Sequence, residues 1–195
     1  MKPLSLVFLT MLVLGLTFSA CKKEPEIVKG CTDPVGDNYN PQAEVSDSSC
    51  TYQKRFLGDY TGTLSCQGIF AAVFNTADLS IKELINKSKV NIILQTTIGP
   101  LAVEGTVVPK NQLNVDATIP NLSINPKTIN PQADSTQVKV DASVKTLLTV
   151  SDDNKKITGV LDIKLVTKEP ITVSGIMLPA GFPLSDMCGF TGTKK

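Results

Sequence analysis

The chain of 195 residues contains no histidine and no tryptophan, and Arg55 is its only arginine. Without imidazole there can be no Ser-His-Asp or Cys-His arrangement, and the commonest ligand of catalytic zinc is missing. With one arginine there is no supply of the planar forks that clamp phosphate or carboxylate. Charge of one sign is missing too. Lys and Arg number 19 against 18 Asp and Glu, so no net field gathers nucleic acid. Seven Phe and three Tyr supply an aromatic sugar-binding platform poorly. There is no Gly-rich phosphate loop, no metal-binding Cys-x-x-Cys pair and no dinucleotide fingerprint. What remains is ordinary globular composition, 42% hydrophobic and 19% charged, which excludes a disordered tail protein and a multi-span helical membrane protein.

The longest apolar run, Leu4 to Phe18, has 15 residues. That suits the apolar region of a signal peptide and is short for a membrane span of about 20 residues. Lys2 precedes it, and the small residues Ser19-Ala20 follow, then Cys21. Phe18-Ser19-Ala20-Cys21 resembles a bacterial lipobox, with Phe18 where Leu is usual. The resemblance implies cleavage before Cys21, a diacylglycerol on its thiol, and a mature protein anchored to a membrane without spanning it. Two or more acyl chains hold such an anchor where one holds only marginally. Residues 1–20 are read as the signal peptide and 21–30 as a lipid-anchored tether. The tether is charged, and Lys22-Lys23-Glu24 carries part of the surface-export signal of Bacteroidota lipoproteins. The expected location is the outer membrane or the cell surface. Lys2 is the only charged residue that cleavage removes, so the mature chain carries equal numbers of the two charges.

Five cysteines, Cys21, Cys31, Cys50, Cys66 and Cys188, are an odd number for an exported protein. Lipidation of Cys21 leaves four, which allow three pairings. Cys31 and Cys50 bracket a short polar segment, and Cys66 and Cys188 stand near the two ends of the long remainder. The expected pairs are therefore Cys31 with Cys50 and Cys66 with Cys188. The second would contribute about 4–5 kcal/mol in the chain-entropy account.

Residues 31–53 carry Asp33, Asp37, Glu44 and Asp47 and no basic residue. Turn formers dominate, and apolar residues are too few for a core, so a disulfide must hold the segment together. Cys31-Thr32-Asp33-Pro34, Asn38-Tyr39-Asn40-Pro41 and Asp47-Ser48-Ser49-Cys50 resemble a small cysteine-bracketed module of Bacteroidota surface proteins, often found beside thrombospondin type 3-like acidic repeats. Asp33, Asp37, Asn38, Asn40 and Asp47 are hard oxygen donors on turns, as calcium prefers. The alternative is that these side chains cap their own turns. No other cofactor is expected.

Residues 54–195 read as all-β. Val138, Val140, Ala142 and Val144 alternate with Lys139, Asp141 and Ser143, the pattern of a half-buried antiparallel strand. Leu113–Ile119 and Ile157–Thr167 alternate likewise, and further strands are expected at 56–66, 69–74, 88–98, 101–108 and 171–178. A hairpin turn is expected at 151–156. Thr76 to Lys87 is the one candidate helix, with Ile81, Leu84 and Ile85 on one face. The fold is an antiparallel β-barrel or a two-sheet sandwich. Phe56-Leu57-Gly58-Asp59-Tyr60-Thr61-Gly62, together with Cys188-Gly189-Phe190-Thr191-Gly192, resembles Bacteroidota lipoproteins with calycin-like barrels and, distantly, lipocalins. Residues 119–135 hold three prolines and read as a long connection between strands. Within it Asp134-Ser135-Thr136 resembles the O-glycosylation sequon of exported Bacteroidota proteins, with Ser135 as the acceptor.

Three functions fit these residues. One is a non-catalytic lipoprotein, a binding or structural module that meets the membrane through its lipid and takes a surface protein as partner. The second is a lipocalin-like carrier of a small apolar ligand. The third is a hydrolase, which would need two of Glu104, Asp116, Asp141 and Asp162 converging in a cleft.

Overall fold

The computed structural model describes residues 26–195 apart from 69, 72–75, 97–98, 109, 129–130, 134–136 and 174. Two short strands, β1 (Lys29–Gly30) and β2 (Val45–Ser46), pair in parallel within the N-terminal module. The main domain follows as β3 (Gly58–Cys66), β4 (Asp78–Glu83), β5 (Lys89–Thr96), β6 (Gly99–Val108), β7 (Gln112–Ile124), β8 (Val138–Val150), β9 (Lys156–Thr167), β10 (Ile171–Val173), β11 (Ile176–Leu178) and β12 (Pro183–Lys194). Eight of these close a barrel in the order β12-β3-β4-β5-β6-β7-β8-β9. β10 and β11 form a separate hairpin. Every neighbouring pair in the barrel is antiparallel. Of the two architectures open to the sequence, the barrel is the one formed. No α-helix occurs among the described residues.

Alternation sets the inside. On β3, Tyr60, Gly62 and Leu64 are buried while Asp59, Thr61, Thr63 and Ser65 face out. On β12, Asp186, Cys188, Phe190 and Gly192 are buried between exposed neighbours. A side-chain period of two leaves one register that buries this set. Gly62 is required by space: a Cβ there would meet the Ala77 carbonyl at 2.2 Å and the Phe190 ring at 2.5 Å. The Cys66–Cys188 disulfide joins two residues directly opposite one another on the first and last barrel strands.

The N-terminal module covers one barrel end. Its Cys31–Cys50 disulfide is formed, and the chain then turns at Lys54–Phe56. Gln53 and Phe56 are fully buried. The Gln53 side-chain amide donates to the carbonyls of Leu84 at 3.0 Å and Lys89 at 2.5 Å. Arg55 donates to Asn154 Oδ1 at 3.2 Å and to the Lys110 carbonyl. These bonds tie the plug to three hairpin turns at the same end.

The expected helix over 76–87 is corrected. Asp78–Glu83 is β4, paired with β3 and β5, and Ile85, assigned to the apolar face, is fully exposed. Leu79 and Ile81 are the buried pair, two residues apart, and the missing barrel wall outweighs a helical spacing of three residues. Phe70 and Ala71, expected in a strand, lie in a turn, and 72–75 lie outside the described residues. The proline-rich connection is shorter than expected, because β7 runs on to Ile124 and its last residues pair with Val138–Val140.

Tyr60 is buried and donates its hydroxyl to the Phe56 carbonyl at 2.8 Å. Burial pushes its pKa up to about 12. Because the folded value is raised, its contribution is complete below the unfolded pKa of about 10 and is lost as pH rises toward 12. Tyr60→Phe should flatten the alkaline decline of the thermal midpoint between these limits, read by circular dichroism. At neutral pH it should cost about 1 kcal/mol for the lost hydrogen bond.

Candidate functional site

The barrel wall is uneven. β7 pairs with β8 along almost its whole length, and β5 with β6 over eight positions from Lys89↔Thr106 to Thr96↔Gly99. Between β6 and β7 only three rungs form, Thr106↔Asn114, Val107↔Leu113 and Val108↔Gln112. Beyond Thr106 the strands part. Among the described residues, 99–105 of β6 and 115–124 of β7 make no pairing across this seam. Further along β7 its ladder to β8 is interrupted as well. Pro120 has no N–H to give a ladder, and the register of β7 shifts between Ile119 and Leu122, as prolines in sheets require an edge or a bulge. Asn121 at the bulge is left-handed, with φ 55°, and its N–H is taken by Asp141 Oδ1 at 3.0 Å.

Behind the seam lies an apolar slot. Its empty volume is about 480 Å³ with the open mouth included. Leu94, Leu101, Val103, Ile119 and Val144 line the outer part and are half-buried although they point inward. Ile92, Leu148, Leu161 and Phe190 close the floor. One lining residue is polar. Thr146 is only 9% exposed, and its hydroxyl has no hydrogen-bond partner. It stands beside Gly159, where a Cβ would lie 3.2 Å from its Oγ1. An unmet buried hydroxyl costs about 1–3 kcal/mol.

The five oxygen-bearing residues considered for calcium each accept a backbone N–H, three in local turns and two across the module. Asp33 accepts from the Val35 N–H at 3.1 Å and the Tyr52 hydroxyl at 2.9 Å. The first of these bonds, then the second, holds its carboxyl below the ordinary value, while burial and then Asp33 push the Tyr52 phenol up. Asp37 accepts the Lys54 N–H at 3.0 Å, Asn40 the Gln42 N–H at 3.0 Å and Asp47 the Ser49 N–H at 2.9 Å. Asn38 accepts the Thr51 N–H at 2.9 Å and donates to the Ser49 carbonyl at 2.8 Å. The carboxylates do not gather. Among the described residues the one group of three or more Cys, Asp or Glu within 4.8 Å is Cys66, Asp186 and Cys188, and its two sulfurs are bonded to each other. Asp186 is buried and accepts the N–H groups of Gly68 at 2.9 Å and Phe70 at 3.0 Å, fixing the loop after β3.

The strand carboxylates lie on the outer wall. Glu104 pairs with Lys89 at 2.7 Å, Asp116 with Lys145 at 3.3 Å and Asp141 with Lys168 at 3.1 Å. Asp162 is exposed opposite Lys145. All face outward; Asp116 and Asp162 flank Lys145 in one outer row, on the convex wall rather than in the cleft that glycoside hydrolysis needs. Cys21 and Ser135 lie outside the described residues.

Thr146 and the seam were missed by the sequence reading. The signal for Thr146 was available, since the inward series Val138, Val140, Ala142 and Val144 continues to it. No family model matches the chain, and no curated protein or solved structure matches it either.

Two expectations follow from this geometry. Removing Cys66 and Cys188 together should lower unfolding free energy by about 4–5 kcal/mol, against about 3 kcal/mol for Cys31 and Cys50, in urea titrations of the full chain. Asn38→Ala should speed amide exchange at Thr51 more than Asn40→Ala does, because the Asn38 side chain accepts the Thr51 N–H across the module, whereas Asn40 caps its own turn.

Proposed function

We propose that the protein is a bacterial lipoprotein anchored through Cys21 at the outer membrane or cell surface, with the barrel as a non-catalytic binding or structural module. The observation that carries this reading is sulfur arithmetic. The two disulfides use four of the five cysteines, and the remaining one follows Ser19-Ala20 at the end of the apolar run. Two disulfides also fit an oxidising compartment.

The barrel's polarity supports an anchor rather than a span by strands. Transmembrane barrels are apolar outside and polar within. Here the interior is Val, Ile, Leu, Phe and Tyr60, and the outer face carries Lys–Asp and Lys–Glu pairs. Such exposed pairs contribute little stability, about 0–1 kcal/mol each, and they keep the wall wet. Among the described residues no helix is long and apolar enough to cross a membrane. The module at residues 31–53 serves as a knot between tether and barrel. The non-catalytic reading rests on the outward placement of Glu104, Asp116, Asp141 and Asp162, three of them paired with lysine, and on the absence of histidine.

Mass spectrometry of the N-terminal peptide from a bacterial host should find Cys21 acylated and residues 1–20 gone. Cys21→Ser should release the protein from the membrane fraction. An N-terminal peptide starting elsewhere, or a Cys21→Ser protein still held in the membrane, overturns the reading. Protease shaving of intact cells then reports whether the barrel faces outward.

A further inference from the structure

We propose that the slot behind the β6–β7 seam binds a slender, uncharged molecule: a straight alkyl chain ending in a hydroxyl or carbonyl oxygen, seated with that oxygen on Thr146. This names the ligand class for the binding reading above and does not depend on the anchor.

Four observations converge. The lining is apolar except for Thr146, so it takes methylenes. The opening is the gap between two neighbouring strands, where β6 and β7 leave their ladder, which suits a slender chain rather than a fused ring. The Thr146 hydroxyl is buried and unpartnered, and a hydroxyl both donates and accepts, so it suits an alcohol or a carbonyl equally. It also lies at the deep end: Thr146 stands opposite Val115, one residue past the last rung of the seam at Asn114. An oxygen bound there leaves the chain to run out past Val144, Ile119, Val103 and Leu101 to the mouth.

The absence of charge in the ligand follows from the rim. Its outward charged residues on the two seam strands are Glu104 and Asp116, each matched by a lysine. No cation among the lining residues meets a carboxylate, and burying an ionised one there unpaired is prohibitive. The parted strands provide the entry, since no ladder bonds must break for a chain to pass between 99–105 and 115–124.

The test uses the full chain in the membranes of producing cells. The probe is a straight-chain alcohol with a mid-chain diazirine and a terminal alkyne, irradiated and mapped by peptide mass spectrometry. Adducts are expected on inward Leu101, Val103, Ile119 or Val144. Thr146→Val keeps the shape and removes the hydroxyl. It should cut labelling about tenfold, the effect of one lost hydrogen bond, while raising the thermal midpoint of the free protein because an unmet polar group is gone. Val103→Trp should fill the slot and abolish labelling with both disulfides intact. Adducts on outward Ala102 or Thr118 instead, or equal labelling of wild type and both variants, overturn the proposal. Equal labelling by the matching fatty acid overturns the uncharged assignment. Cys21→Ser separates this inference from the anchor: labelling should persist when membrane attachment is lost, and labelling that disappears with attachment counts against the slot.

Discussion

The structure depends on the pairing of its first barrel strand with its last. Lys194↔Tyr60 to Cys188↔Cys66 is an unbroken run of seven rungs, and it closes a sheet that would otherwise present two free edges. The Cys66–Cys188 bond pins that run covalently at one end across 122 residues of sequence. Closure carries the loops with it. Asp186, two residues before Cys188, reaches the N–H groups of Gly68 and Phe70, so the disulfide and the buried carboxylate together fix the chain as it leaves β3. At the other end, Tyr60 of the same pairing holds the Phe56 carbonyl and positions the plug.

A wall closed this firmly on one side tolerates a weak seam on the other. Three rungs join β6 to β7, as many as join β3 to the shorter β4, whereas eleven join β9 to β12. The two strands at the seam both contain proline, Pro100 on β6 and Pro120 on β7. A proline offers no donor to an incoming strand, and this is one of the ways proteins keep exposed edges from pairing with other chains. At these two positions the seam has no donor for a further strand.

Much of the barrel was legible as alternation. Gln137–Val144, Leu113–Ile119 and Ile157–Thr167 each declare an inward and an outward face, and the structure keeps the assigned sides. The pairing of the four cysteines was legible from position. β4 was not, because its inward pair, Leu79 and Ile81, is too short a series to compete with the 3.6-period spacing of Ile81, Leu84 and Ile85; pairing with both neighbours decides it, and that is non-local. The seam was not legible for the same reason, since the extent of the β6–β7 ladder is a property of two strands together. In the acidic module the residue types were correctly singled out, but their use was ambiguous. An Asx oxygen on a turn looks the same in sequence whether it faces an ion or its own backbone, and here Asp33, Asp37, Asn38, Asn40 and Asp47 all accept backbone N–H groups.

The slot breaks three local rules at once. A hydroxyl is buried without a partner, inward-facing leucines and valines remain within reach of water, and two strands leave their ladder unfinished. Each has a cost, and none is forced by the fold: valine in place of Thr146 would satisfy the same alternation, and a longer β6–β7 ladder would cover Leu101 and Val103. Local departures of this kind concentrate where a protein does something other than fold. The well-packed regions elsewhere, from Tyr60 and Phe56 to Phe190 and Ile157, carry the stability that lets one seam stay open, in the same way that binding segments are drawn from the least stable parts of a structure. On the reading proposed above, a barrel serving only as a spacer would have no use for the opening, and the cost of the seam is what the proposed slot explains.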